Sequence, residues 1–345
     1  MKKIRVAING FGRIGRTFFK MAMESEEIEI VAINDLGDIE NLAYLLKYDT
    51  AYGKSDFDIS VEKRDWKTVL VAGGQDFDFL HEKDPTLLPW KEFNVDVVME
   101  STGFFTEFAK AKFHLDAGAK RVVISAPGKG ESVPSVESAT VLMGINEDSL
   151  KTCQISSNAS CTTNASSPVV QILNEKIGIE KALLNTVHGY TSTQKLVDSP
   201  DKKDWRRGRA AAQNIIPSTT GAAKAVTKVV TDLEGKFDGI ALRVPVITGS
   251  VADITFIAKR DTSVEEVNDI LRQATNEERW KDVFTVAEDP IVSSDIIGNK
   301  YAATVDPAFT RVVGGNLVKV LSWYDNEVGY TNTLMKHIIK TGKFL

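Results

Sequence analysis

Cysteine is scarce in this chain: Cys153 and Cys161 are the only two among 345 residues. Two thiols cannot build a disulfide framework, so packed cores must hold the fold, and a reducing compartment suits the thiols. An excess of one charge is also missing. Lys and Arg total 42 against 47 Asp and Glu, a net charge of −5. That leaves no basic footprint for nucleic acid or an anionic membrane, and neither partner is expected. No apolar run approaches the ~18 residues of a membrane span. The opening stretch MKKIRVAING is broken by Arg5 and lacks a signal peptide's apolar length and cleavage site. The cytoplasm is the expected location. Repeats and low-complexity segments are absent, and no metal site is expected. What is present is an ordinary globular composition, 43% hydrophobic and 26% charged, over a length that suits two domains.

The first domain reads as an open α/β sheet. IRVAI (4–8) is a β-branched run that stops at Asn9 and Gly10. RIGRTFFKMAMES follows with Ile14, Phe18 and Met21 at helical spacing, and IEIVAIND (28–35) is a second buried strand. Strand, glycine turn, helix and strand in about thirty residues make a βαβ unit and hence a parallel sheet. VDVVMEST (95–102) and RVVISAP (121–127) read as later parallel strands around a helix at 106–118, and ISVEKRDWKTVLVAG as paired edge strands. The texture changes after Cys161. SSPVVQILNEKIG reads as a helix with Pro168 in its first turn and Gly178 at its end. KALLNTVHGYT, FDGIALRVPV and VADITFIAKR alternate like strands, SVEEVNDILRQATN is an amphipathic helix, and NEVGYTNTLMKHIIKTGKF a terminal one. The second domain is expected to be α+β with a mainly antiparallel sheet. The long polar stretch between the first two strands is expected to be functional or at an interface.

NGFGRIG places Gly10, Gly12 and Gly15 in a Gly-x-Gly-x-x-Gly pattern between a strand and a helix. Gly10 permits the tight turn, Gly12 lets a pyrophosphate approach the backbone, and Gly15 lets helix and strand pack closely. Asp35 ends the second strand twenty residues past Gly15, where an acid bonds the ribose hydroxyls and repels a 2′-phosphate, so NAD is the expected dinucleotide. Lys3, Arg13 and Arg16 read as surface charges, with Arg13 close to the phosphate turn.

SNASCTTN (157–164) surrounds Cys161 with hydroxyl and amide residues. A lone cysteine is often only a small buried residue. A helix starting near 162 would instead set its N-terminus at the thiol and, with a cationic partner, lower its pKa. Four histidines are available. His188 stands at a predicted strand end, His81 and His114 lie in surface-like segments, and His337 is on the terminal helix. Both a structural His188 and a Cys161–His188 pair stay open on spacing alone. Cys153 reads as structural. Arg206, Arg207 and Arg209 crowd the polar stretch, Arg243 precedes Pro245, and Thr219, Thr220 and Gly221 stand at a helix start. Such groups suit phosphate, or simply a solvated loop.

INGFGRIGR, SNASCTTN, TVHGYTSTQ, KDWRRGRAAAQNIIPSTTGAAKAV and SWYDNEVGYTN together resemble, in order and along the whole chain, the phosphorylating glyceraldehyde-3-phosphate dehydrogenase family. The resemblance implies a Rossmann-type, doubly wound NAD-binding domain over 1–160, with a helix at 326–345 packed back on it, and a catalytic domain over 161–325. It implies oxidation of glyceraldehyde 3-phosphate, with inorganic phosphate, through a thioester on Cys161, with His188 as the base. Asn9, Gly10, Phe11, Gly12, Arg13, Ile14, Gly15 and Asp35 would line the dinucleotide, and Asn326 would hold the nicotinamide amide. Ser160, Thr162, Thr220 and Gly221 would bind the attacking phosphate. Thr191 and Arg243 would hold the phosphate of the substrate, with Arg207 adding charge. The stretch 190–213 resembles the family's S-shaped segment, which implies a homotetramer, and Pro200 agrees with NAD. Three features depart from the family pattern. Ala165 stands where many members have a second cysteine, Val328 stands where Trp is usual, and 127–144 is longer than usual and expected to be a surface loop. The competing readings are the sister enzyme acting on erythrose 4-phosphate, a cysteine hydrolase and a noncatalytic NAD-binding protein.

Overall fold

A computed structural model describes residues 2–65 and 67–345. The chain divides into two units, the first comprising residues up to Val141, Glu147–Ala159 and Leu334–Leu345, the second Leu142–Asn146 and Ser160–Thr333.

In the first unit, β1 (Ile4–Asn9) is followed by α1 (Arg13–Met23), β2 (Ile28–Asn34), α2 (Ile39–Lys47) and a two-by-two-residue ladder, β3 (Tyr48–Asp49) and β4 (Gly53–Lys54). Then come β5 (Ile59–Arg64), β6 (Lys67–Ala72), β7 (Gln75–Leu80), β8 (Val97–Glu100), α3 (Phe108–Asp116), β9 (Arg121–Ile124), β10 (Ser138–Thr140) and β11 (Ile155–Ser157). They form one sheet in the order β10-β11-β9-β8-β1-β2-β7-β6-β5. β5, β6 and β7 pair antiparallel, as expected of edge strands, while the other pairs in this sheet are parallel. Trp66, within the predicted edge pair, lies outside the described residues. β1 and β8 are buried almost throughout, the pattern of strands covered on both faces. The strand order reverses at β1, so a crevice opens past the carboxyl ends of β1 and β8.

Three readings of this unit need correction. His114 is fully buried under the sheet, not at the surface, because α3 turns it toward Trp90 and Glu100. Arg16 is buried too, and donates to the Phe11 carbonyl at 2.8 Å. The segment 127–144 is not all loop: Ser138–Thr140 extends the sheet beside β11.

The second unit holds α4 (Cys161–Lys176), β12 (Ile179–Gly189), β13 (Ile216–Thr219), α5 (Ala222–Thr227), β14 (Phe237–Val244), β15 (Ser250–Ala258) and α6 (Val264–Ala274). β16 (Phe284–Val286), β17 (Ala303–Val313) and β18 (Leu317–Tyr324) complete it. The sheet runs β13-β14-β12-β15-β18-β17-β16, antiparallel except for β12–β14 and β16–β17. One face is buried, through Ala182, Leu184 and Thr186 on β12, while Leu183 of the same strand is 66% exposed on the other. α4 begins at Cys161, in line with the start expected near 162 at the thiol and ahead of the start that would put Pro168 in its first turn. Ser160 caps it by accepting from the Thr163 N–H at 3.2 Å, so Pro168 falls inside the helix and not in its first turn. Gly178, at φ +73, ends it as predicted. α7 (Val328–Gly342) begins with residues of the second unit, and its residues from Leu334 belong to the first. There His337 joins Ser156 and Asn158, and Gly342 lies so close to Ile4 that a Cβ would sit 2.5 Å from its Cδ1.

Candidate active site

The glycine turn lies in the crevice of the first unit. Gly10 has φ +102, and a Cβ there would come within 2.6 Å of the Ser101 carbonyl carbon and the Thr102 nitrogen. A Cβ at Gly15 would overlap the Gly10 carbonyl oxygen. A Cβ at Gly12 would meet nothing within 4 Å. Of the three, only Gly12 would point a Cβ into open space, and with Asn9, Gly10, Asp35, Thr102 and Phe104 it lines a cavity of 450 Å3. Asp35 sits at its edge. One carboxylate oxygen accepts from the Phe11 N–H at 2.6 Å and the other from the Gly37 N–H at 2.8 Å. The Phe11 ring is buried edge-on to Phe19 and Phe79, and Ile14 is half-buried in the first turn of α1. Arg13 points to Asp49, 2.5 Å away, and lies over the Tyr52 ring.

A buried polar chain fixes the floor of this crevice. Asn34 donates to Asn9 Oδ1 at 2.7 Å, and Asn9 donates to Glu100 at 2.6 Å. Trp90 donates to His114 Nδ1 at 3.1 Å, which puts the imidazole proton on Nε2, 3.1 Å from Glu100. Sequence reading missed Glu100 and His114 because each lies in an otherwise ordinary strand or helix.

The thiol lies in the second unit. Cys161 is the first residue of α4, inside the Ser160 cap, where the positive end of the helix favours a thiolate. β12 and β14 run parallel in a register that sets His188 opposite Arg243. His188 Nε2 is 3.4 Å from Cys161 Sγ. Its Nδ1 is 2.6 Å from the Gly189 carbonyl oxygen and 2.6 Å from Arg243 Nη1. Tyr324 closes the back of the site. Its hydroxyl bridges Thr162 Oγ1 at 2.8 Å and Thr186 Oγ1 at 2.7 Å, and its ring stands edge-on to His188. Tyr324 was missed because β18 was not read from the sequence. The signal was there, in the alternation that buries Val318, Val320, Ser322 and Tyr324.

Burial pushes the Cys161 thiol up, against the pull of Arg243 and of the Thr162 hydroxyl and N–H. Burial, and then the Arg243 charge, push His188 down to about 3. Burial also raises the Cys153 thiol, assisted by Glu137.

Two arginines near this pair have no carboxylate partner among the described residues. The Nε atoms of Arg207 and Arg243 are buried without a hydrogen-bond acceptor, and Arg207 Nη2 reaches only Ser218 Oγ, at 3.2 Å. A buried guanidinium N–H left without an acceptor is costly, and an anion would supply one. Thr220 Oγ1 accepts from the Ala222 N–H at 3.1 Å, and Gly221 caps α5 with open space beside it. Thr191 bonds Thr193 and Gln194. Among the described residues no hydrogen bond joins Thr191, Thr220 or Gly221 to Cys161 or His188. Asn326 accepts from Ser250 Oγ at 2.9 Å and Thr248 Oγ1 at 3.2 Å, so its NH2 end is the one left to donate. Arg209 is engaged by Asp198.

Residues 4–108 match the family model described as glyceraldehyde 3-phosphate dehydrogenase, NAD binding domain, and residues 160–326 match that of the C-terminal domain. The chain belongs to the glyceraldehyde-3-phosphate dehydrogenase family. It is similar to glyceraldehyde-3-phosphate dehydrogenase 1 of Bacillus subtilis strain 168, at 46% identity over 98% of this chain and 99% of that protein. The glyceraldehyde-3-phosphate dehydrogenase of Streptomyces coelicolor is 46% identical over 99% of both chains. That of Geobacillus stearothermophilus is 46% identical over 96% of both. Both the glycine turn and the thiol pair fall inside the two matched segments of this family.

Proposed function

We propose that this chain is an NAD-dependent phosphorylating glyceraldehyde-3-phosphate dehydrogenase, with Cys161 as nucleophile and His188 as base. The observation that carries the residue roles is the 3.4 Å approach of Sγ to His188 Nε2 at the capped N-terminus of α4. Cys161 attacks the aldehyde carbon and forms a hemithioacetal. His188 takes the hydroxyl proton as a hydride leaves that carbon, and a thioester remains on Cys161. NAD, when bound, supplies the hydride acceptor. Inorganic phosphate then displaces the thiolate and gives the acyl phosphate. Arg243, with Thr191, receives the phosphate of the substrate. Ser160, Thr162, Thr220 and Gly221 receive the attacking phosphate, and Arg207 adds positive charge to both. Thr162 does so chiefly through its backbone, because its hydroxyl is taken by Tyr324.

The residues fit the cofactor. Gly12 leaves the space a pyrophosphate needs, Asp35 is held at the cavity edge where a ribose would lie, and Asn326 has a donor free for a carboxamide oxygen. In domain terms, 1–160 with the terminal helix is the NAD-binding part and 161–325 the catalytic part.

The chain is proposed to act as a cytoplasmic homotetramer. The outer face of the second sheet supports the oligomer, with Leu183, Ile240 and Leu317 66%, 54% and 42% exposed. So does the stretch 190–213, where Leu196 and Trp205 are 85% and 88% exposed. Apolar groups so placed need a covering surface. Two free cysteines agree with a reducing compartment, and no helix of the described residues is long and apolar enough to cross a membrane. The test is absorbance at about 340 nm, the signature of reduced nicotinamide, with glyceraldehyde 3-phosphate, with and without phosphate, and with erythrose 4-phosphate as competitor. Turnover that ignores phosphate, or favours erythrose 4-phosphate, would overturn the reading.

A further inference from the structure

We propose that Gln194 is a specificity-determining residue of the substrate-phosphate site: its carbonyl end fixes Thr191, and its NH2 end donates to the phosphate. The inference rests on the phosphate-binding roles given above to Thr191, Arg207 and Arg243.

Gln194 closes the turn that leaves β12. Its N–H donates to the Thr191 carbonyl at 2.9 Å. Its side chain folds back over the same turn, where Oε1 accepts from the Thr191 N–H at 2.9 Å and from the Thr191 hydroxyl at 3.3 Å. A backbone N–H can only donate, so the end of the amide that faces it is the oxygen, and the NH2 is the other end. That NH2 is buried, on a residue 7% exposed, and has no acceptor among the described residues. A buried donor left unmade is costly, and in a native fold it calls for an acceptor from outside the chain.

The fold brings anion-seeking groups to this turn. The Tyr190 N–H donates to the Val246 carbonyl at 3.0 Å, which pins the end of β12 to the end of β14, where Arg243 stands. The Ala211 N–H donates to the Lys195 carbonyl at 2.9 Å, which draws the stretch carrying Arg207 to the residue after Gln194. The charge of Arg207 in turn acts on Arg243. Each guanidinium has a buried Nε without an acceptor among the described residues, as Gln194 has a buried NH2. Two charged donors and one neutral donor left open at one strand end are satisfied together by a single anion with several oxygens. A phosphate ester, with three terminal oxygens, has an acceptor for each.

Glutamine suits the place because an amide accepts at one end and donates at the other without carrying charge. A carboxylate would hold Thr191 equally well and repel the anion. An ammonium would attract the anion and lose its hold on Thr191. When the Thr191 hydroxyl turns its proton to the phosphate it gives up its 3.3 Å contact, but the N–H contact at 2.9 Å keeps the turn in place. Thr193 Oγ1, 2.8 Å from Thr191 Oγ1, can then donate to it.

The test compares kcat/KM for glyceraldehyde 3-phosphate and for D-glyceraldehyde, which has no phosphate, in the parent, Gln194→Glu and Gln194→Met. In parallel, calorimetric titration with sn-glycerol 3-phosphate measures the phosphate site without turnover. Gln194→Glu should lower kcat/KM for glyceraldehyde 3-phosphate by roughly tenfold to a hundredfold, the worth of a hydrogen bond to a charged group. It should weaken sn-glycerol 3-phosphate by a similar factor and leave D-glyceraldehyde near the parent value, so that the preference for the phosphorylated aldehyde collapses. Gln194→Met should act in the same direction, and it carries the comparison should the glutamate variant not fold. Equal losses with both aldehydes make Gln194 merely structural and overturn the proposal. So does an unchanged preference, the result for an amide that only holds a water; in either case a parent that binds sn-glycerol 3-phosphate leaves the phosphate site standing. A parent that neither binds that probe nor prefers the phosphorylated aldehyde overturns the phosphate-site reading itself.

Discussion

Acid should weaken this fold at two identifiable rings. His337 is fully buried, with Nδ1 3.1 Å from Asn158 Oδ1 and Nε2 2.7 Å from Ser156 Oγ. A neutral ring donating at Nδ1 and accepting at Nε2 satisfies both neighbours. Burial holds His337 down to about 3, and His188 is likewise at about 3. The unfolded chain takes up these protons near pH 6.5. Below that pH the unfolded state binds more protons than the folded one. Stability is then full above 6.5 and is lost progressively as pH falls toward 3. The slope is about 1.4 kcal/mol per pH unit for each ring, so lowering pH from 7 to 5 costs about 2 kcal/mol per ring. Most carboxylates remain ionised over this interval and contribute little. Urea unfolding at pH 7 and 5, at one protein concentration and in phosphate-free buffer, measures the loss. His337→Gln keeps hydrogen-bonding atoms but does not titrate. It should start less stable, yet lose about 2 kcal/mol less over the same pH change. Equal acid losses in variant and parent would show that His337 is not held neutral by burial.

Cys161→Ser should abolish turnover while NAD affinity, read by fluorescence titration, stays near normal, since the glycine turn is in the other unit; near-normal turnover would refute the nucleophile. Asp35→Ala removes an acceptor from both the Phe11 and Gly37 N–H groups, so NAD binding should weaken roughly tenfold and the margin over NADP should narrow in kcat/KM. Tyr324→Phe leaves the buried Thr162 hydroxyl without its bridge; thermal unfolding should show a loss of about 1–3 kcal/mol.

The glycine turn was legible because its logic is local. A strand, three glycines, a helix and an acid twenty residues on specify their own geometry, and Gly10 and Gly15 meet backbone where a side chain would not fit. The thiol pair was only half legible. Residues 157–164 marked an unusual cysteine, but the approach of His188 depends on a strand register fixed far away along the chain, and family likeness supplied what spacing could not. Arg243 looked like one candidate cation among several until the sheet set it opposite His188. His114 was misread because a polar residue in a short, weakly patterned helix looks exposed; its partners Trp90 and Glu100 lie on other elements. Pro168 misled for a physical reason as well. The Ser160 cap begins α4 well upstream and carries the helix through a residue that normally marks a first turn.

The contact between Gly342 and Ile4 bears on the order of synthesis. The first unit takes its strands from one end of the chain and its closing helix from the other, with the whole second unit translated between them. On a ribosome β1 is made before the second unit, and so is most of the sheet around it, but the side of that sheet meant for residues 334–345 stays bare until residues 160–333 have been made. Ser156 and Asn158 wait likewise for the imidazole of His337. The dinucleotide-binding half is therefore begun first and completed last, and during translation it is the half that a chaperone has most reason to hold.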